Sequence, residues 1–191
     1  VSLTTDPVTW SVEWGVRKYD EDAVAWLTER LGREPSGADF TAAGIDPYED
    51  NTVMRNLLTT AGLGRITSLI TGAGGQALTN TSGRIGVGNG VGTAAVGDTD
   101  LSAAAGTANR YFQPFDATYP TTSGGVITAQ ATFASANGNF AWNEFGIDIG
   151  TPTVTGGATV NAVLLNHKTS IAQGTKTSGQ SWTASATITL S

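Results

Sequence analysis

The chain has 191 residues, with 16 acids against 10 bases, one histidine and no cysteine. That length suits one domain whose core needs no metal or disulfide to hold it. The acidic balance, with no basic stripe, excludes nucleic acid as a partner, because phosphate neutralisation drives such binding.

Residues 8–16, "VTWSVEWGV", put Val8, Trp10, Val12, Trp14 and Val16 on one face and polar residues or glycine on the other. Period two over nine residues predicts a strand with an apolar face. Asp20 then caps a helix over 21–31, with acids in its first turn, Val24, Leu27 and Leu31 on one face, and Gly32 just past its end. Residues 33–50 read as a loop ending in the turn "DPYEDN", and they mark the expected boundary between an extension and the main domain. Eleven of the 16 acids lie before that boundary.

A second helical stretch is expected from Asn51, with a helix near 60–71 that starts on Thr59 or Thr60 and stops at Gly72. Leu63, Ile66, Leu69 and Ile70 form its expected buried stripe. Gly62 and Gly64 weaken a helix interior, so close packing against a neighbour is the expected reason for both. Strands are predicted over 84–88, 110–118, 126–134, 140–149, 159–168 and 181–190, separated by Gly/Ser/Asn turns. The fold class read from this is α+β and mainly β. It is an antiparallel β-sandwich or barrel-like domain over 51–191, with one or two short helices packed on it, preceded by an acidic strand–helix extension over 1–50.

The stretch "GRIGVGNGVG" at 83–92 invites a nucleotide-binding reading. It fails both tests. No G-x-G-x-x-G triplet completes, and Asn89 stands where a phosphate-binding loop needs its lysine. A strand leading into an "NG" turn with positive φ is the expected role. His167, the single histidine, is read as a surface or partly satisfied side chain rather than a catalyst. Asp98 and Asp100 lack the oxygen-rich company of a calcium site, so Asp98 or Thr99 is expected to cap the short turn that follows. Asp46, Glu49 and Asp50 read as turn and helix cap. Glu144, in register with Phe140 and Trp142, is expected to face an apolar layer. It is weighed as a general acid with a raised pKa against a buried carboxylate bonded to a backbone amide or to Arg65, and the second reading is preferred.

Trp26 and Trp182 are expected in the core. Trp10 and Trp14, with Val8, Val12 and Val16, are the candidate docking face. No catalytic residue, cofactor or metal is assigned. No apolar run approaches the ~20 residues that span a bilayer, and no basic-then-apolar leader opens the sequence, so neither a membrane nor the ordinary secretory route is expected.

The segments "NLLTTAGLGRITSLITG", "GRIGVGNG…DTDL", "YFQPFDATYP", "TFASANGNFAWNEFGIDIG", "LLNHKT" and "GTKTSGQSWTASATITLS" occur in this order. Together they resemble a family of tailed-bacteriophage virion proteins related to tail-fibre-like domains, over residues 51–191. The resemblance implies a β-rich structural protein on the exterior of the particle, assembled in the host cytoplasm, with no catalytic residues to carry over. Implied partners are major capsid or tail proteins and copies of the same chain, with a trimer among the symmetric options. The expected role is capsid decoration, with residues 1–50 as the anchor. The alternative is a tail-tip or fibre-associated protein that binds a host glycan. If residues 1–50 are only an anchor, deleting them leaves a folded domain that no longer attaches.

Overall fold

The computed structural model describes residues 9–150 and 161–191. Its first strand, β1 (Trp10–Tyr19), is no appendage. It runs between β2 (Glu49–Met54) and β10 (Ser181–Leu190), and β7 (Val126–Phe133) and β6 (Thr121–Ser123) complete a five-stranded sheet in the order β2-β1-β10-β7-β6. A second sheet has the order β3 (Leu57–Leu58), β9 (Leu164–Thr169), β8 (Glu144–Ile149), β4 (Gly83–Gly88), β5 (Arg110–Pro114). All neighbouring strands are antiparallel. The chain is therefore an α+β, mainly β sandwich, as its alternating strands predict.

The core lies between the sheets. Val12, Trp14 and Val16 of β1 meet Ile85, Val87, Phe145, Ile147 and Leu165 of the second sheet in one cluster. Small residues make room for large ones: Ala129, Ala131, Ala184 and Ala186 are fully covered, while Trp14 stacks on Phe145 at 4.8 Å and Trp142 meets Trp182 edge-on at 4.9 Å. Each large apolar side chain so buried contributes about 1.5–3 kcal/mol.

Two expectations fall here. The candidate docking face is internal, because the alternation that builds it matches the inward face of β10, register Trp14↔Ala186 and Val16↔Ala184. Trp10 is half-buried, with Nε1 donating to Asn56 Oδ1 at 3.2 Å, and Val8 lies outside the described residues. The boundary expected at residue 50 divides no core. Thr9 and Ser191 exchange backbone hydrogen bonds of 2.5 and 3.2 Å, closing β1 onto β10 at the end of the sheet.

The helices follow their caps. Helix α1 (Glu21–Leu31) starts on Asp20, whose Oδ1 accepts from Ala23 N at 2.9 Å, and ends on Gly32 at φ 67°. Helix α3 (Thr60–Thr71) starts on Thr59 and stops at Gly72 as expected. Its expected buried stripe holds only at Ile66. Leu63, Leu69 and Ile70 are exposed, at 51%, 37% and 79%, and the helix sits down on β9 through Gly62 beside Ile66. A Cβ on Gly62 would lie 2.2 Å from Leu165 O, whereas Gly64 faces open space. On α1, Trp26 is exposed with Arg30 over its ring at 4.7 Å, so it is not a core residue.

The predicted loop over 33–50 contains a further helix, α2 (Gly37–Ala42), and the start of β2. Glu49 and Asp50 therefore cap nothing. They sit in β2 opposite Lys18 and Arg17, at 2.8 and 3.4 Å. The strands predicted over 110–118 and 140–149 are shorter than expected, and residues 159 and 160 of the strand predicted over 159–168 lie outside the described residues.

Candidate functional site

The charged side chains that reach deepest lie on the outer face of the second sheet. Alternation along β8 sends Phe145 and Ile147 to the core and Glu144, Gly146 and Asp148 outward. An irregularity between Ile147 and Asp148 lets Leu165 and Asn166 of β9 both stay inward, so Leu164 and His167 face out beside them. The loop 89–109 covers this outer face. It inserts Leu101 against Phe112 and Leu164 as a small second core.

Space for that loop explains the glycine run. A Cβ on Gly86 would lie 2.4 Å from the Phe112 ring and 3.2 Å from Leu101, and one on Gly88 would lie 2.3 Å from Glu144 Oε1 and 3.0 Å from Ala103. Gly83 faces inward instead, where a Cβ would lie 2.2 Å from Phe115 of the core. Gly90 is likewise pressed against Glu144 and does not take positive φ, so the expected "NG" turn gives way to close approach.

Glu144 and His167 are the centre of the arrangement. Glu144 is fully buried and accepts from Ser102 N at 2.8 Å and Ala103 N at 2.7 Å. Its Oε2 lies 2.9 Å from His167 Nε2, and His167 Nδ1 lies 2.6 Å from Asp98 Oδ2. Asp98 in turn accepts from Ala95 N at 2.8 Å. A carboxylate on each side requires the ring to donate from both nitrogens, which only the imidazolium does.

Burial alone would push the His167 pKa down. Its bonds to Glu144 and Asp98 outweigh this and hold it above the ordinary 6.5. Burial likewise favours the neutral acids, but the His167 and backbone bonds hold both Glu144 and Asp98 below the ordinary carboxylate range. Glu144 thus has the environment of an ionised anchor, and the raised pKa of a general acid is not found. Its backbone partners were foreseeable in kind. Arg65 is not among them, since it donates to Gln76 O at 3.0 Å.

His167 is 1% exposed rather than superficial, and both its nitrogens are occupied. A groove of about 270 Å³ lined by Arg55, Thr93, Lys168 and the edge of His167 passes beside it, but both ring nitrogens of His167 are already engaged by Glu144 and Asp98. The two carboxylates lie on opposite sides of the ring and do not converge on a point where a cation could sit. Among the described residues no cluster of His, Asp and Glu has metal-holding geometry. Nor is any described helix long and apolar enough to cross a membrane.

Other buried charges act the same way. Arg84 pairs with Asp148, which also accepts from Val163 N at 3.0 Å. Arg110 pairs with Asp100 at 2.8 Å and donates to Ala103 O at 3.3 Å. Asp98 therefore fastens its loop to the sheet rather than capping the next turn. Lys176 Nζ donates to Ala134 O at 2.9 Å and Asn139 Oδ1 at 2.8 Å, and burial lowers its pKa to about 8. Arg84–Asp148 crosses between the neighbouring strands β4 and β8, Arg110–Asp100 ties β5 to the covering loop, and Lys176 joins two loops.

Sequence reasoning singled out Glu144 and His167 separately and missed their contact. The available signal was a lone histidine and a glutamate, each in a segment that reads as a strand. The chain matches no protein-family model, no curated protein and no solved structure.

Proposed function

We propose that this chain is a non-catalytic structural protein of the exterior of a tailed-bacteriophage particle, with capsid decoration as its role. The observation that supports the reading best is the set of contacts around Glu144. Here a fully buried acid, a buried histidine and two loop amides are joined to one another, which suits a rigid surface module rather than a reaction centre. Three of the six segments carrying the virion resemblance build this part: "GRIGVG" is β4, "EFGIDI" is β8 and "LLNHKT" is β9.

With the tryptophan face internal, attachment uses another surface. Leu63 and Ile70 on α3 are exposed, as are Val91 and Val96 on the covering loop, and Val96 O accepts from Thr60 N at 2.7 Å, so loop and helix adjoin. Contact with a neighbouring virion subunit would remove these side chains from water. Gold-labelled antibody on intact particles tests the reading. Label over the head supports decoration, label at the tail tip favours the tail-protein alternative, and particles free of the chain overturn both. A Leu63→Ser/Ile70→Ser variant is expected to stay folded and lose particle association.

A further inference from the structure

The outer face of the first sheet is polar. Arg17 of β1 pairs with Thr183 of β10, and Thr132 and Gln130 follow on β7. Helix α2 lies over one side of this row and the turn 116–120 over the other. Between them is a cleft of about 410 Å³, lined among others by Arg17, Tyr19, Thr41, Tyr119 and Gln130. A neighbouring hollow of about 270 Å³ shares Arg17, Tyr19 and Thr41 and extends to Asp46 and Asp50. The first volume is within the roughly 300–1,000 Å³ of small-ligand pockets.

Both walls are fixed by specific bonds. Asp116 accepts from Thr132 N at 3.0 Å, Thr132 Oγ1 at 2.9 Å and Gln130 Nε2 at 2.9 Å, while its own N–H donates to Gln130 O at 2.8 Å. Tyr119 N donates back to Asp116 O at 2.9 Å, which sets the tyrosine at the rim. On the opposite side Gly37 N donates to Thr132 Oγ1 at 2.9 Å, and a Cβ on Gly37 would lie 2.9 Å from Thr183 Oγ1. Only glycine lets α2 come this close.

The groups left facing the cleft have unused capacity. Gln130 gives its amide nitrogen to Asp116, so its Oε1 remains as an acceptor. Tyr19 stacks on Phe40 at 3.8 Å, and its hydroxyl has no hydrogen-bond partner among the described residues. Arg17 touches Asp50 only through Nε, at 3.4 Å, leaving its terminal nitrogens as donors. A single cation already beside Asp50, with Asp46 nearby, disfavours a phosphate or another anion. A ring face at Tyr119, two phenol hydroxyls, an amide oxygen and guanidinium donors suit a neutral ligand with an apolar C–H face and many hydroxyl groups.

We propose that this cleft is a carbohydrate-binding site that takes a neutral pyranose unit between Tyr119 and the Arg17–Gln130 floor. The inference goes beyond the particle reading, and it concerns the isolated chain wherever that chain is located.

Two-dimensional amide NMR of the full chain, titrated separately with glucose, galactose, N-acetylglucosamine and inorganic phosphate, tests it. The expected result is saturable shifts of Arg17, Thr41, Tyr119 and Gln130 with at least one sugar at millimolar concentration. Tyr119→Ala and Arg17→Ala should each weaken that binding about tenfold, the loss of one good contact, while Leu63→Ser on α3 leaves it unchanged. Arg17 is exposed, so its variant keeps the test valid if Tyr119→Ala misfolds. Absence of saturable shifts with all three sugars, stronger shifts of the same amides with phosphate, or unchanged sugar affinity in Arg17→Ala overturns the proposal.

Discussion

The two outer faces of the sandwich are covered by different physics. On the first sheet, Tyr19, Val24, Leu27 and Phe40 form a small apolar core under α1 and α2. On the second, an irregular loop is held by Glu144, His167, Asp98 and the Arg110–Asp100 pair around one modest apolar insertion, Leu101. The first cover tolerates gradual change, because apolar burial is non-directional. The second depends on a few buried polar partners, each of which strands another when removed.

The largest expected effect would break both covers at once. Deleting residues 1–50 removes β1 from between β2 and β10 together with Val12, Trp14 and Val16. The truncated chain should lack cooperative unfolding by circular dichroism and near-ultraviolet signal, instead of the folded remainder that an anchor role would leave. Next, Glu144→Ala leaves His167 Nε2 and the Ser102 and Ala103 amides without their acceptor, with Asp98 still on the other ring nitrogen. A loss of about 3–5 kcal/mol is expected in urea denaturation, with amide exchange rising first across 94–106. Phe40→Ala should cost about 3 kcal/mol, with protection lost in α1 and α2 and retained in the loop. If both variants expose the same segments, the two covers are one cooperative unit.

A smaller effect follows from pH. His167 is held above its ordinary 6.5, so its contribution is whole below that value and fades as the pH climbs through the raised pKa. Glu144 and Asp98 are held below their ordinary 4.5 and 3.8, so theirs is whole above those values and fades as acid protonates them. The loop should therefore be best protected between about pH 4.5 and 6.5, and exchange at 94–106, corrected for the intrinsic rate, should rise on the alkaline side. A His167→Gln variant should flatten that alkaline limb. Smallest of all, Trp26→Ser on exposed α1 should change stability by no more than about 0.5 kcal/mol.

The same contrast governs what could be read from the residues. Strand β1, strand β10 and the caps of α1 and α3 were legible because period-two alternation and Asp, Thr and Gly at helix ends are local signals. Helix α2 and strand β2 were not: six residues are too few to show a period, and "EDNTVM" has little apolar content because it is an edge strand. The stripe read on α3 misled in part: Ile66 makes its contact, but Gly62 rather than Leu63, Leu69 or Ile70 completes it. Partners 69 and 23 residues from His167 carry no spacing rule, so the Asp98–His167–Glu144 contact needed the fold itself. The inward turn of the tryptophan face was also hidden, because alternation says that a face is apolar and not what covers it.

The mutual hydrogen bonds of Thr9 and Ser191 bring the start of β1 and the end of β10 side by side within their sheet. A circular permutant that joins Ser191 to Thr9 through a short flexible connector, and opens instead within the exposed turn at Gly124 and Gly125, would interrupt only the β6–β7 hairpin. Unpermuted, the sandwich could be grafted into a host loop through residues 9 and 191, with β1 and β10 zipped together at its root.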